Sequence, residues 1–263
     1  GYKILISPET SSNGGSFRPL TVKVREGSVL GATVPAACQF YFSHLGMLID
    51  MVSRALAPAL PDRVAAASHG DSMIITSAGF DPRVGRDWVS MEATLGGWGA
   101  WDGSDGESAL INNVNGSLQD FPIEMVETKW PFRIREYSIR PDSGGSGQWR
   151  GGNGVLREYE FLADGVFSLW FERSKTPAWG LFGGSDATGP EVVINPGTAD
   201  EAHMLKVNAR AATKGTVIRL AVGGGGGYGD ASLRDAEAVR YDVANGYLTR
   251  ERAQADYTHV DLS

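Results

Sequence analysis

Glycine sets the terms on which this chain can fold: it occupies 35 of 263 positions, nearly twice the usual share of roughly 7%. These glycines do not form a repeat; they gather at residues 96–99, 144–154 and 223–229. Glycine is needed where the backbone takes a positive φ or where a second backbone must pass close by. Clusters of this kind point to many tight turns between short strands.

The apolar pattern agrees. Runs at residues 73–76, 89–93, 132–139, 155–161, 166–171, 192–194 and 216–222 have strand length, and turn sequences such as Pro141-Asp142-Ser143-Gly144-Gly145 separate them. Two further strands are expected at residues 2–6 and, from their alternation, at residues 21–24. One amphipathic helix is expected over residues 43–57, with Ser43 as its cap and Leu45, Leu48, Ile49, Val52 and Leu56 along one face. Asp50 and Arg54 stand four apart and are expected to pair on its flank; Pro58 and Pro61 end it. Two short helices close the chain, at residues 235–244 and 250–257, with Ser232 and Thr249 as caps and Gly246 between them. The expected fold is α+β with β dominant: short, mostly antiparallel strands in a sandwich or barrel-like sheet, with residues 1–263 as one globular unit. A chain of this length buries roughly 70–75% of its unfolded surface.

Composition narrows the function. A net charge of −7 gives no general attraction for nucleic acid. The sequence has no apolar run of membrane-spanning length and no signal-like amino end, and a single cysteine, Cys38, excludes an intrachain disulfide framework. A cytoplasmic location is the expectation.

The local motifs are weak. Gly224, Gly226 and Gly229 satisfy G-x-G-x-x-G, but no second strand follows to complete a βαβ unit. A tight strand-to-helix turn, or a flexible lid, is the plainer account of that run. His44, His69, His203 and His259 lack metal-ligand spacing. Only His69, in Ser68-His69-Gly70-Asp71, has a neighbouring carboxylate and turn, and a solvated or hydrogen-bonded loop position explains it. Ser16 and Ser143 sit among glycines without a G-x-S-x-G elbow. Asn112, Asn113, Asn115, Asp120, Glu124 and Glu127 are dense enough to line a pocket for an amide or carboxylate, although solvated loops have the same composition. Trp98, Trp101, Trp149 and Trp179 border glycine motifs, as interface anchors or as core.

Several ordered segments together resemble a known family. They are Asn13-Gly14-Gly15-Ser16-Phe17-Arg18-Pro19-Leu20; Ala59-Leu60-Pro61-Asp62-Arg63-Val64; Gly96-Gly97-Trp98-Gly99-Ala100; Asp105-Gly106-Glu107-Ser108; Asn115; Pro122-Ile123-Glu124; and Trp179-Gly180-Leu181-Phe182-Gly183-Gly184. The strongest is Arg140-Pro141-Asp142-Ser143-Gly144-Gly145-Ser146-Gly147-Gln148-Trp149-Arg150-Gly151-Gly152-Asn153-Gly154, and the glycine run before Asp230 completes the set. The chain is similar throughout to the hydantoinase B/oxoprolinase family, in particular to the carboxyl-terminal half of its B-type subunit.

That resemblance implies a subunit, or part of one, of an ATP-dependent hydrolase opening cyclic amides such as hydantoins, 5-oxoproline or lactams. It implies a hydantoinase A-type partner holding ATP with Mg, and a divalent metal such as Zn or Mn in an amino-terminal half of the B-type subunit. Neither cofactor is expected on this chain alone, which would be inactive by itself. Such members are about twice as long, so the resemblance implies a fragment or split half that stays with its other half. Two alternatives remain open: an acetone- or acetophenone-type ketone carboxylase subunit, and a non-catalytic interface module. Within the family-like motifs, Arg18 and Asn115 are the expected substrate-binding residues, Arg18 for a carboxylate or phosphate oxygen and Asn115 for an amide. Glu124 is the expected catalytic base or orienter.

Overall fold

The computed structural model describes residues 2–38, 42–115 and 118–262, leaving aside the side chains of residues 2, 4, 42 and 43. The fold is α+β. Strands β1 (Ile74–Asp81), β2 (Arg86–Glu92), β5 (Gly165–Trp170) and β8 (Lys206–Ala212) form one antiparallel sheet in the order β2-β1-β5-β8. A second antiparallel sheet has the order β3-β4-β9-β6-β7, built from β3 (Phe132–Ile139), β4 (Val155–Phe161), β6 (Glu191–Ile194), β7 (Ala202–His203) and β9 (Val217–Ala221). Alternation aims Ile75, Trp88, Phe167 and Leu169 of the first sheet and Phe132, Tyr159, Phe161, Ile194 and Ile218 of the second into one core. Trp88, Phe132 and Phe161 meet edge to face there, with centroids 5.1 and 4.9 Å apart.

The outward sides differ. On the second sheet Arg133–Glu160 and Arg135–Glu158 pair across β3 and β4. On the first, Val89, Met91 and Val166 are exposed.

Helices frame the sheets. They are α1 (Tyr2–Ile6), α2 (Phe42–Leu56), α3 (Ile123–Lys129), α4 (Ala236–Ala244) and α5 (Arg250–Asp256). Asp235 and Thr249 cap α4 and α5 by accepting the Ala238 and Arg252 amides. Ser232 therefore does not cap α4; it lies in a short 3₁₀ turn capped by Asp230. Two other expectations fail. Residues 2–6 are helical, and residues 21–24 pair with no strand. A short apolar run does not distinguish helix from strand, and alternation without a partner makes no ladder. Residues 21–24 instead belong to a mostly exposed stretch, residues 7–38, along which Val22, Val29 and Val34 face solvent.

The glycine run is the centre of the molecule, not a turn or a lid. Residues 223–229 are all buried and continue β9 past the end of its sheet. Over residues 223–228 the hydrogen bonds radiate outward with a period of three. Gly223 and Gly226 bond to Gly97, Ala67 and Ala100; Gly224 and Gly227 bond to Thr188, Ser185 and Leu181; Gly225 and Tyr228 bond to Gly145, Gly152 and Trp149. Three residues per turn with no internal hydrogen bonds is the polyproline II geometry. Only glycine permits it here: a methyl on Gly225 would lie 1.9 Å from the Trp98 carbonyl oxygen, and one on Gly226 2.1 Å from that of Trp179. This close packing leaves no room for a dinucleotide at the G-x-G-x-x-G match.

Candidate functional site

The segment that follows Ala67, itself bonded to the glycine rod, carries Ser68, His69, Asp71 and Ser72, all buried. Helix α2 lies against it. Only part of the expected apolar stripe faces inward: Leu48, Ile49 and Leu56 are half-buried, whereas Leu45 is 40% and Val52 36% exposed. Gly46 and Asp50 are buried instead. A methyl on Gly46 would stand 2.7 Å from the Gly70 carbonyl oxygen, so glycine allows the helix to approach.

Asp50 does not pair with Arg54. Its carboxylate accepts from Arg173 Nη2 at 2.5 Å, from the Ser68 amide at 3.2 Å and from Asn113 Nδ2 at 3.2 Å. Burial pushes this carboxyl up to about 7, against the attraction of Arg173. Arg173 is itself buried and adopts φ 60°, a strained backbone for a non-glycine residue. Its guanidinium stacks 4.6 Å from the Trp179 ring centroid, and Arg54 stacks on the same ring at 5.0 Å. Gly70 makes room for it, since a methyl there would lie 2.8 Å from Arg173 Nε.

His69 is 1% exposed, so it is hydrogen-bonded but not solvated. Its ring Nδ1 faces the Gly97 carbonyl oxygen at 3.2 Å and therefore donates to it, which makes Nε2 the unprotonated nitrogen. Among the described residues Nε2 has no partner in hydrogen-bonding geometry. Burial lowers the imidazole to about 4. A methyl on Gly96 would sit 2.3 Å from the ring.

Two of the cavities that flank α2 meet at the Asp50–Arg173 pair. One, of about 350 Å³, is bounded by Ile49, Asp50, Ser53, Ser68, Asn113 and the indoles of Trp98 and Trp101, with Arg63 also on its wall. The other, of about 480 Å³, lies over Met47, Met51, Arg54, Arg173 and Trp179.

The sequence-expected residues lie elsewhere. Arg18 ends a 3₁₀ turn, Asn115 follows Asn112 in a turn, and Glu124 occupies the first turn of α3; all three are exposed. Among the described residues no hydrogen bond or ion pair joins them. The polar cluster around them is not a set of solvated loops, because most of its members have structural tasks. Asn112 is buried and donates to Ser72 Oγ, Asp120 accepts from Arg157 and Tyr137, and Glu127 accepts the Ile134 amide. Asn113 alone reaches the cavity. Of the four tryptophans none is fully buried, and Trp101 is 38% exposed. Among the described residues no group of three His, Cys, Asp or Glu is placed to hold a metal ion, so no step is derived through a metal here. No helix among them is long and apolar enough to cross a membrane.

Comparison with known proteins adds to this geometry. A family model described as hydantoinase B/oxoprolinase matches residues 1–231. A protein of Pseudomonas sp. (strain NS671), provisionally named as the B-type component of a D-/L-hydantoinase, is 31% identical over 247 residues, which are 93% of this chain and 41% of that protein. The crystal structure of ATP-dependent caprolactamase from Pseudomonas jessenii superimposes with a TM-score of 0.85 at 28% identity, covering 99% of this chain and 47% of the other. Nucleotide-free acetone carboxylase matches with a TM-score of 0.61 at 21% identity over 80% of this chain and 32% of its own, a likeness of fold alone. The chain thus spans less than half the length of these relatives.

Proposed function

The chain belongs to the hydantoinase B/oxoprolinase family, and from that premise we propose that it is part of an ATP-dependent hydrolase opening cyclic amides of the hydantoin, 5-oxoproline or lactam type. The observation that carries this reading is the match to ATP-dependent caprolactamase along 99% of the chain. An amide resists hydrolysis through resonance, and coupling to ATP turns its oxygen into a phosphate leaving group. In this reading a hydantoinase A-type partner holds ATP with Mg, a divalent metal is held by further B-type sequence, and the assembly works in the cytoplasm. Residues 1–263 act as one unit within it. Arg18 and Asn115, open to solvent here, are proposed to meet substrate once the assembly forms, with Glu124 as base or orienter.

The test is reconstitution with an A-type subunit and the remaining B-type sequence. ATP-dependent ring opening of caprolactam, 5-oxoproline or hydantoin is expected, without a need for bicarbonate. Carboxylation of acetone or acetophenone, dependent on ATP and bicarbonate and without ring opening, would replace this reading with the carboxylase one. An unchanged kcat in the assembled Glu124→Ala enzyme would remove Glu124 from the site.

A further inference from the structure

The two sheets turn unlike faces to solvent. Outside the second, the cross-strand pairs Arg133–Glu160 and Arg135–Glu158 make a surface suited to water. Outside the first, strand pairing aligns Val89, Ala78, Val166 and Ala211 in one row across β2, β1, β5 and β8. Their neighbours in sequence, Trp88, Phe167 and Ala212, are buried in the core, so the row faces outward. Met91 and Phe80 extend the apolar surface on either side of the row, and Val89 is 71% and Met91 56% exposed. A contiguous apolar patch of this extent marks an interaction surface.

Size and pattern say what fits. Four strands about 4.8 Å apart, each about seven residues long at about 3.4 Å per residue, span roughly 19 by 24 Å. Two such faces stacked give about 900 Å² in plan, close to the roughly 1,000 Å² that a biological interface must clear. Side-chain relief and the exposed turn at Val84 add to it. The row is also self-complementary. Read from β2 it runs Val-Ala-Val-Ala, and read from β8 it runs Ala-Val-Ala-Val. A two-fold axis parallel to the strands, placed between β1 and β5, lays β2 of one copy over β8 of the other. Val89 then meets Ala211 and Val166 meets Ala78, a large side chain against a small one at every contact, as stacked sheets require.

Charge agrees with the same axis. Trp88 is in register with Gly79, Gly165 and Ala212; Asp87 lies one residue beyond it, and Lys214 lies two beyond Ala212 at the same end of the sheet. Both are exposed, at opposite edges. The axis brings the acid of each copy to the base of the other. We propose that two copies of this chain pair face to face through the outer side of this sheet, about that axis. A second copy supplies the size pattern and the charge together by symmetry. The pairing stands apart from the proposed function, since it needs neither ATP nor an A-type subunit.

The experiment is sedimentation velocity on the full chain by itself, over a series from about 1 to 100 μM, where a monomer–dimer equilibrium is expected. Val89→Lys places a charge in the row and should weaken the dimer at least about tenfold. Asp87→Lys and Lys214→Asp should each weaken it at least about threefold, and the two together should return it to within about twofold of the parent. Arg135→Glu, on the outer side of the second sheet, should leave it within about twofold. The charge variants alter only exposed side chains, so the test survives a Val89→Lys chain that fails to fold. A monomer at every concentration, a dimer untouched by Val89→Lys, or a double charge variant no tighter than its singles would each overturn the proposal. A monomeric chain whose binding to an A-type subunit is lost in Val89→Lys assigns the face to that subunit and overturns it as well.

Discussion

At the scale of single residues, His69 illustrates what burial does to chemistry. Its ordinary value of 6.5 falls to about 4 because the protonated ring would be stranded without water. The native state therefore holds it neutral while the unfolded chain can charge it. The stability that results is complete above pH 6.5 and is lost as pH falls through 4. Its full size is about 3 kcal/mol. Asp50 acts in the opposite sense: with its carboxyl raised to about 7, its contribution is complete below its ordinary value and is lost as pH rises through 7. Denaturant unfolding of parent and His69→Gln chains across this range separates the two. Their difference is expected to carry the acid-side slope, and the Asp50 slope should survive in the variant. Little of this was legible in the sequence. The Ser68-His69-Gly70-Asp71 turn marks the place, but Asp50 and Arg173 are 123 positions apart and meet only because α2 packs on Gly46. Arg18, Asn115 and Glu124 stand out in the sequence because their motifs are contiguous, and contiguity says nothing about which side chains converge.

At the scale of elements, strands β3 and β4 were legible to the residue, since alternation and glycine turns bound them on both sides. The edge strand β8 was not, because lysine, asparagine and arginine on an exposed edge hide its period. Helix α3 is only seven residues long and offers too few turns to show one. The glycine clusters announced close backbone approach, but only the fold shows that they pack as a bundle around one rod. Alanine replacements grade that packing. Gly225→Ala drives a methyl into the Trp98 carbonyl and is expected to cost more than about 4 kcal/mol, or to abolish soluble expression. Gly215→Ala has open space but φ 90°, and should cost roughly 1–2 kcal/mol. Gly14→Ala meets nothing within 4 Å and should leave the unfolding midpoint unchanged. Similar losses at all three sites would contradict the bundle.

At the scale of the whole molecule, one buried ion pair ties the two sheets together. Arg157 of β4, with a fully buried side chain, donates to Glu92 of β2 at 2.9 Å and to Asp120 at 3.2 Å, while Tyr159 donates to Glu92 at 2.9 Å. Removing one partner leaves an uncompensated buried charge. Arg157→Met is therefore expected to lose about 3–5 kcal/mol in chemical denaturation at neutral pH. Glu92→Gln added to it should recover part of that loss, and acidification should narrow the deficit as Glu92 takes up a proton. A loss under about 1 kcal/mol at neutral pH would mean the sheets do not depend on this pair. The glycine rod has a different consequence, and it belongs to heredity. A single base change in the first or second position of a glycine codon yields only alanine, valine, serine, cysteine, aspartate, glutamate, arginine, tryptophan or a stop. Each of those residues carries at least the methyl for which Gly224, Gly225, Gly226 and Gly227 leave no space. The stretch of gene encoding it is therefore one where silent third-position drift can accumulate freely while almost every missense change is purged.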